Sequence, residues 1–209
     1  MKQRNIKGAT LFNPRIYHQS FLNSATLQCD SRSERDFLID CEFDKSIKRF
    51  MTQPNSYSYE YQGKTRRVTN DVRIEYHDGT CRDFEIKDAR YADSQALHDK
   101  INYVSELLQE HQNSSLTLVT SDDIYDDPSH VTRKILYNFM FLKVPEELSK
   151  MAIKSLIKSE MSIANLEQRF EQKGADKTIT WAFLAKQYAS IEFLGDPEIS
   201  STTTIFWSK

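Results

Sequence analysis

The chain has few cysteines and no grouped metal-binding residues. Its three cysteines, Cys29, Cys41 and Cys81, are odd in number and widely spaced, and no C-x-x-C occurs among the 209 residues. The five histidines are scattered and form no pattern with Cys or Asp that indicates a zinc site or a nucleophile triad. This usage argues against zinc and is typical of reduced, cytoplasmic thiols.

The chain also lacks a long hydrophobic run. No apolar stretch approaches the roughly 20 residues that a membrane-spanning helix needs, and the mean hydropathy is −0.62. Residues 1–7 carry charge without the apolar stretch of a secretory signal. We therefore expect no membrane association. The hydrophobic content of 39% is enough for a real core, in one domain or two small ones.

The chain also has no large excess of charge of either sign, since its formal net charge is only −2. Affinity for DNA comes largely from neutralised phosphates, but a local basic patch is sufficient. Basic residues precede and surround the segment analysed next, whereas aspartates cluster near position 125. The basic positions are Lys2, Arg4, Lys7, Arg15, Arg32, Arg35, Lys45, Lys48, Arg49, Arg66 and Arg67. The alternative interpretation is a dispersed, solvated charge pattern.

The most informative segment, residues 69–87, predicts a β-hairpin with acids and a lysine at one end. Asp71 lies near the start of the first strand, and Glu85-Ile86-Lys87 ends the second. Successive strand residues point to opposite faces, so Glu85 and Lys87 share one face.

The length of the hairpin loop decides whether Asp71 joins that face. A two-residue loop, Asp78-Gly79, would mix apolar and polar positions across the hairpin. A three-residue loop that begins at His77 pairs Asp71 with Glu85, and it places Gly79 where a left-handed residue is needed. We therefore predict the three-residue loop, which puts both acids and the lysine together.

Two carboxylates and a lysine at one sheet edge suit metal-dependent cleavage of a phosphodiester. Carboxylate oxygens are the ligands that Mg²⁺ prefers, and we expect Mn²⁺ to substitute for it. A lysine can orient or activate the attacking water and stabilise developing negative charge. The alternative is an ordinary solvated strand face, on which a Glu-x-Lys pair has no chemical role.

A third acid, Glu34, precedes the hairpin on a predicted helix. Phe37, Leu38 and Cys41 form an apolar helical stripe, and Glu34 falls on that stripe, where it could be a further metal ligand. Ser31-x-x-Glu34 also fits a capping box, in which the glutamate only satisfies the start of the helix. A side chain directed at its own helix N-terminus would favour the cap.

Together these segments resemble the TnsA endonuclease subunit of heteromeric, cut-and-paste DNA transposases. The resemblance is close over residues 25–90, and one departure is Asn70, where the family often has proline before the acid. It rests on SERDF at 33–37, CEFD at 41–44, QP at 53–54, Asp71, and EIK at 85–87.

The resemblance implies a restriction-endonuclease-like PD-(D/E)xK core in a bacterial, cytoplasmic protein. It assigns the catalytic positions to Glu34, Asp71, Glu85 and Lys87, with the three acids as Mg²⁺ ligands. It also implies cleavage of the 5′ strands at transposon ends, with 3′-strand cutting and joining left to a TnsB-like transposase. The C-terminal domain would engage a TnsC-like, ATP-dependent regulator.

The second half of the chain predicts a helix and a strand that return the chain to the sheet, followed by a small domain. A helix over 93–111 and a strand over 116–120 are consistent with the α/β core. The acidic segment 121–128 predicts helix capping and a boundary, giving domains at 1–121 and 122–209. Helices then precede a terminal β-hairpin, and three helices closed by such a hairpin are the layout of a winged helix. The predicted ranges of the helices are about 129–142, 145–159, 162–171 and 176–188.

The leading hypothesis is therefore an α/β, Mg²⁺-dependent DNA endonuclease subunit of a transposase. The last helix of the second domain offers only Lys177, Lys186 and Gln187 to DNA, so docking to a protein is as well supported as base reading. One alternative is an inactive nuclease-fold adaptor that links DNA to a regulator. Another is a stand-alone restriction or junction-resolving nuclease.

Overall fold

The computed structural model describes residues 16–54, 56–61, 63–194 and 198–208. It is a mixed α/β structure with several sheets. The chain divides into two compact units between Asp126 and Asp127. The basic residues Lys2, Arg4, Lys7 and Arg15, and the turn at 195–197, lie outside the described residues.

The first unit contains eight strands and three α-helices within the described residues. In chain order they are β1 (Ile16–Ser20), β2 (Ala25–Cys29), α1 (Arg32–Phe43), β3 (Ile47–Thr52), β4 (Ser56–Tyr61), β5 (Lys64–Thr69), β6 (Val72–Tyr76), β7 (Cys81–Lys87), α2 (Gln95–Gln112), β8 (Leu116–Thr120) and α3 (Ser121–Tyr125).

A four-stranded sheet with the order β3-β6-β7-β8 organises the first unit. The pairs β3–β6 and β6–β7 are antiparallel, whereas β7 and β8 are parallel. Helix α2 provides the crossover between these parallel strands, which agrees with the predicted helix at 93–111 and the predicted strand at 116–120. In this crossover, residues 88–94, which include a short 3-10 helix at Ala89–Tyr91, connect the end of β7 to the N-terminal end of α2.

The register of the β6–β7 hairpin is the predicted one. Val72 pairs with Phe84, and the Tyr76 amide donates to the Thr80 carbonyl at 2.9 Å, so a three-residue loop joins the strands. Gly79 in that loop has a φ of +86°, a conformation that favours glycine. The register leaves Asp71, just before β6, opposite Glu85.

The core explains why this register is favoured. The apolar face of the hairpin packs on α1, and a one-residue slip would turn the whole apolar set toward solvent. The buried residues that the two elements contribute are Leu38, Cys41, Val72, Ile74, Phe84 and Ile86.

The tyrosine-rich strand does not belong to the sheet of the acidic hairpin. The alternation of Tyr57, Tyr59 and Tyr61 indicates a strand, and these residues form β4, which among the described strands pairs with β5 in a separate two-stranded sheet. β3 pairs with β6 instead. Alternation with a period of two does not specify the partner strand.

The boundary between the units follows α3. The sequence analysis places it after residue 121, whereas the first unit extends to Asp126. Ile124 of α3 is buried in the same core as α1 and the hairpin, which ties this short helix to the first unit. The aspartates nearby act as caps: Asp123 completes a capping box with Thr120, and Asp127 caps the next helix.

The second unit combines four α-helices with a small antiparallel sheet. The predicted helices are present, although the first two end earlier than predicted, at Tyr137 and Leu156. Its described elements are α4 (Pro128–Tyr137), α5 (Glu146–Leu156), β9 (Met161–Ser162), α6 (Ile163–Glu171), α7 (Lys177–Gln187), β10 (Ile191–Leu194) and β11 (Thr204–Trp207), with the sheet order β10-β11-β9. Among the described residues, no helix has the length and apolar character that crossing a membrane requires.

Candidate active site

The predicted hairpin acids do come together, and the backbone holds Asp71 in place. The Asp71 amide donates to the Phe84 carbonyl at 3.0 Å, which continues the β6–β7 ladder by one residue. Asp71 Oδ2 in turn accepts from the Ile86 amide at 2.7 Å. The carboxylate therefore lies against the end of β7, next to Glu85 and Lys87.

Three oxygens converge on the ammonium group of Lys87. Its Nζ is 3.1 Å from Glu85 Oε1, 3.5 Å from Asp71 Oδ2 and 3.2 Å from the Ile86 carbonyl oxygen. Burial opposes the charge on Lys87, but the two carboxylates outweigh this effect and raise its pKa. The end of β7 thus presents a cation-binding set of oxygens, with the lysine as the cation.

A second lysine, Lys100, completes the charge balance. It reaches from α2 and places its Nζ 2.9 Å from Glu85 Oε1. The sequence analysis did not identify this residue. The available signal is the βαβ crossover, which brings the first turns of α2 back beside the end of β7, so a cation there is a candidate.

One carboxylate oxygen of Glu85 has the chemistry that a metal ligand needs. Glu85 is 4% exposed, and its Oε2 is buried with no hydrogen-bond partner in the described part of the chain. A buried carboxylate oxygen without a partner is costly, and a hard divalent cation would satisfy it. The donor set of Asp71, Glu85 and the Ile86 carbonyl therefore fits Mg²⁺ in its chemistry.

As the side chains stand, the lysines hold the position that a metal ion would need. No group of three or more His, Cys, Asp or Glu side chains within the described ranges is arranged to hold a metal ion. Lys87 lies among the oxygens instead, at 3.1–3.5 Å from the two carboxylates. Binding of Mg²⁺ by Asp71 and Glu85 therefore requires the ammonium group to move aside.

Glu34 lies close to the capping arrangement that Ser31-x-x-Glu34 allows, but it binds the amide of Asp30 and not that of the cap residue Ser31. Ser31 caps α1 by accepting from the Glu34 amide at 3.1 Å, and Glu34 Oε2 accepts from the Asp30 amide at 2.8 Å. This side chain is directed at its own helix N-terminus, which weakens its assignment as a metal ligand. It nevertheless lies close enough to Asp71 for their charges to repel.

Burial and mutual repulsion raise the pKa values of two site acids. The pKa of Glu34 is raised to about 7, first by burial and then by Asp71. The pKa of Asp71 is raised to about 6, first by burial and then by Glu85, although Lys87 and the Ile86 amide favour its charged form. Such shifts are common at functional sites, although buried structural networks also produce them.

Gln53 connects the two acidic regions. It lies at the end of β3 with a φ of +46°, and its amide donates to the Asp71 carbonyl at 2.7 Å. Its side-chain amide donates to Asp30, the residue whose backbone binds Glu34. The Gln53-Pro54 segment therefore supports the backbone beside both acids.

Asn70 is fully buried beside the site. Neither of its side-chain polar atoms has a hydrogen-bond partner among the described residues.

The raised pKa values predict how pH affects the stability of the metal-free protein. In the native state these acids bind protons that the unfolded chain has released, so the free energy of unfolding falls as pH rises from about 4 to about 7. Glu34→Gln keeps an acceptor for the Asp30 amide but removes the charge. We expect this variant to lose less stability than wild type between pH 5 and pH 8, by on the order of 2 kcal/mol in urea unfolding.

Glu75→Gln is the matched control for this measurement. Glu75 lies on the same unit, but Lys48 and Arg49 lower its pKa by hydrogen bonding. Its removal should not flatten the fall in stability. Parallel pH profiles for wild type and Glu34→Gln would contradict the assignment of a raised pKa to Glu34.

The basic residues predicted around the site divide into paired and unpaired groups. Lys48 and Arg49 both bind Glu75, the first at 2.8 Å. Arg66 and Arg67 are exposed on β5 and have no carboxylate partner among the described residues. The paired residues contribute little net charge, so the positive field of this unit depends more on β5.

The cysteines and the buried histidine of the first unit have structural roles. All three cysteines are free thiols, and burial raises the pKa of Cys29 to about 12, which keeps it protonated and unreactive. His18 lies 3.0 Å from Glu42, a carboxylate that also accepts from the Phe21 and Leu22 amides. This buried group anchors the turn between β1 and β2.

Comparison with known proteins adds no family to these observations. No protein-family model matches the chain, and no curated protein matches it.

Proposed function

We propose that the chain is a Mg²⁺-dependent DNA endonuclease that hydrolyses a phosphodiester bond at the end of the β6–β7 hairpin. One observation carries this proposal: Asp71 Oδ2, Glu85 Oε1 and the Ile86 carbonyl converge on one cationic group, Lys87 Nζ. Hard oxygen ligands with an adjacent lysine suit the cleavage of a phosphodiester.

The topology of the first unit supports a restriction-endonuclease-like PD-(D/E)xK core. Its sheet has an antiparallel hairpin, a helical crossover and a parallel final strand, and the acids lie where β6 begins and β7 ends. The second unit has an order of helices and strands that is compatible with a winged helix, since β10 and β11 follow α7 as an antiparallel pair and β11 also pairs with β9.

The residues of the site would divide the chemistry as follows. Asp71 and Glu85 would hold Mg²⁺, and Glu34 would join them by giving up its bond to the Asp30 amide. A bound Mg²⁺ supplies positive charge beside the phosphate and lowers the pKa of a coordinated water. Lys87, displaced from the oxygens, would orient the water and stabilise negative charge developing on the phosphate.

We further propose that this nuclease is the TnsA-like subunit of a heteromeric transposase. It would cut the 5′ strands at transposon ends, and a TnsB-like transposase would cut and join the 3′ strands. The second unit would bind a TnsC-like, ATP-dependent regulator. The support is the order and spacing of the segments described above, together with the weakly basic character of α7, whose buried residues include Ala182, Phe183 and Leu184.

Strand-resolved cleavage of transposon-end DNA in Mg²⁺ tests this assignment against its alternatives. Each strand is end-labelled, and the chain is added alone or with candidate TnsB-like and TnsC-like partner proteins. Cleavage of the 5′ strand only when the partners are present is the expected result. Efficient cutting by the chain alone would favour a stand-alone nuclease, and partner-dependent assembly without 5′-strand cutting would favour an inactive adaptor.

A further inference from the structure

The β4–β5 hairpin carries an unbalanced positive charge. Residues 56–69 contain three cations, Lys64, Arg66 and Arg67, and a single acid, Glu60. All three cations are exposed, and none has a carboxylate partner within the described residues, where Glu60 accepts a hydrogen bond from Thr65. Solvated cations of this kind are available to neutralise phosphates.

Tyrosines hold the hairpin against α2 and set its direction. Near its base, Arg73 links Tyr57 to Gln112 at the C-terminal end of the helix, with bonds of 3.3 and 2.7 Å. Farther along the hairpin, the Tyr61 ring lies 5.5 Å from the Tyr103 ring. The hairpin therefore runs back along α2 toward the N-terminal half of the helix.

That half of α2 also carries the contact to the candidate active site. Lys100, which binds Glu85, precedes Tyr103 by three residues, so the two side chains are neighbours on the helix surface. Arg66 extends the series, because its guanidinium lies over the Tyr61 ring at 4.9 Å. One helix turn and two ring contacts give a path on the order of 15 Å from Lys100 to the basic tip.

We propose that the basic tip of the β4–β5 hairpin, defined by Lys64, Arg66 and Arg67, binds the DNA backbone beside the scissile phosphate. A path of this length places the tip within about four nucleotides of the site, at a rise of 3.4 Å per nucleotide of duplex. The tip contacts phosphates, because its cations are exposed and none is paired with a carboxylate among the described residues. The identity of the ligand rests on the proposed nuclease function.

DNA affinity measured without cleavage tests the surface directly. Fluorescence anisotropy with a labelled duplex in EDTA compares wild type with the triple variant Lys64→Gln, Arg66→Gln, Arg67→Gln. We expect a loss of roughly 10- to 100-fold at about 0.1 M salt, and a salt dependence reduced by roughly three phosphate contacts.

A control with the same change in charge separates this surface from net charge alone. The triple variant Lys48→Gln, Arg49→Gln, Lys150→Gln removes three cations that are paired with Glu75 or Glu146. It should bind DNA within about threefold of wild type, because these three cations already share two carboxylates and carry much less net charge than the hairpin tip.

A single charge reversal, Arg67→Glu, guards against a folding defect. Arg67 pairs with Ser58 and faces away from the tyrosines, so its replacement leaves their packing on α2 intact. Arg67→Glu should weaken DNA binding and leave the melting temperature of the protein unchanged. Equal binding by the hairpin variants and the control, or no binding by wild type at 50 mM salt, would overturn the inference.

DNA binding and cleavage test the β4–β5 surface and the proposed nuclease function separately. Weakened DNA binding in the hairpin variants together with no Mg²⁺-dependent cleavage by wild type would retain the surface and reject the nuclease. Normal binding by these variants, together with cleavage that depends on Asp71, would reject the surface alone.

Discussion

Replacing Asp71 by asparagine is expected to abolish cleavage while the protein stays folded. The asparagine keeps an oxygen that can accept from the Ile86 amide, a bond of 2.7 Å in the wild type, so the end of the hairpin retains its geometry. It loses the negative charge that a divalent cation requires. Losing several kcal/mol of stabilisation by the metal corresponds to a fall in rate on the order of 1,000-fold or more.

Strand-resolved cleavage in Mg²⁺ with the partner proteins is the measurement for Asp71→Asn. The 5′ strand should remain uncut, whereas cutting of the 3′ strand should continue. Glu75→Gln is the control, because Glu75 is an acid on β6, the strand that follows Asp71, and its partners are the exposed Lys48 and Arg49. If Asp71→Asn cut the 5′ strand at the wild-type rate, the hairpin would be only a scaffold.

The second large effect is expected for Lys87→Met, with opposite consequences for catalysis and for metal binding. Methionine preserves the bulk of the side chain but removes the ammonium group that lies within 3.5 Å of both hairpin carboxylates. Cleavage should fall by roughly 10²- to 10⁴-fold, as expected for loss of a group that activates water. Affinity for Mn²⁺ should hold or rise, because a competing cation has gone.

Calorimetric titration with Mn²⁺ and single-turnover cleavage at saturating metal separate these two effects. Lys48→Met, which removes an exposed lysine from the same sheet, should change neither quantity. If Lys87→Met lost cleavage and metal affinity together, Lys87 would be supporting the acids structurally. If it kept full activity, the proposed role of the lysine would be wrong.

The geometry of the hairpin acids was predictable from the sequence because two independent requirements agree. The alternation of apolar residues demands a pairing that buries Val72 with Phe84, and Gly79 fits a three-residue loop. Each requirement alone leaves alternatives, but only one register satisfies both. That register places Asp71 opposite Glu85 whatever role the two acids have.

Other parts of the site depend on tertiary contacts that a local pattern does not encode. Glu34 fits both a cap and an inward-facing ligand, and the choice of the Asp30 amide as its partner is made in three dimensions. Lys100 is one of many lysines on helices until the crossover brings it to Glu85. Likewise, the alternation of Tyr57, Tyr59 and Tyr61 marks β4 as a strand without showing that its partner is β5.

The most direct test of the central claim is to locate Mn²⁺ in crystals of the protein by anomalous scattering. The account predicts a peak within about 2.5 Å of both Asp71 and Glu85 carboxylate oxygens, with the Lys87 ammonium moved out of its place among the oxygens. Lys87 unmoved and no peak between these acids, at a Mn²⁺ concentration that supports cleavage, would contradict it.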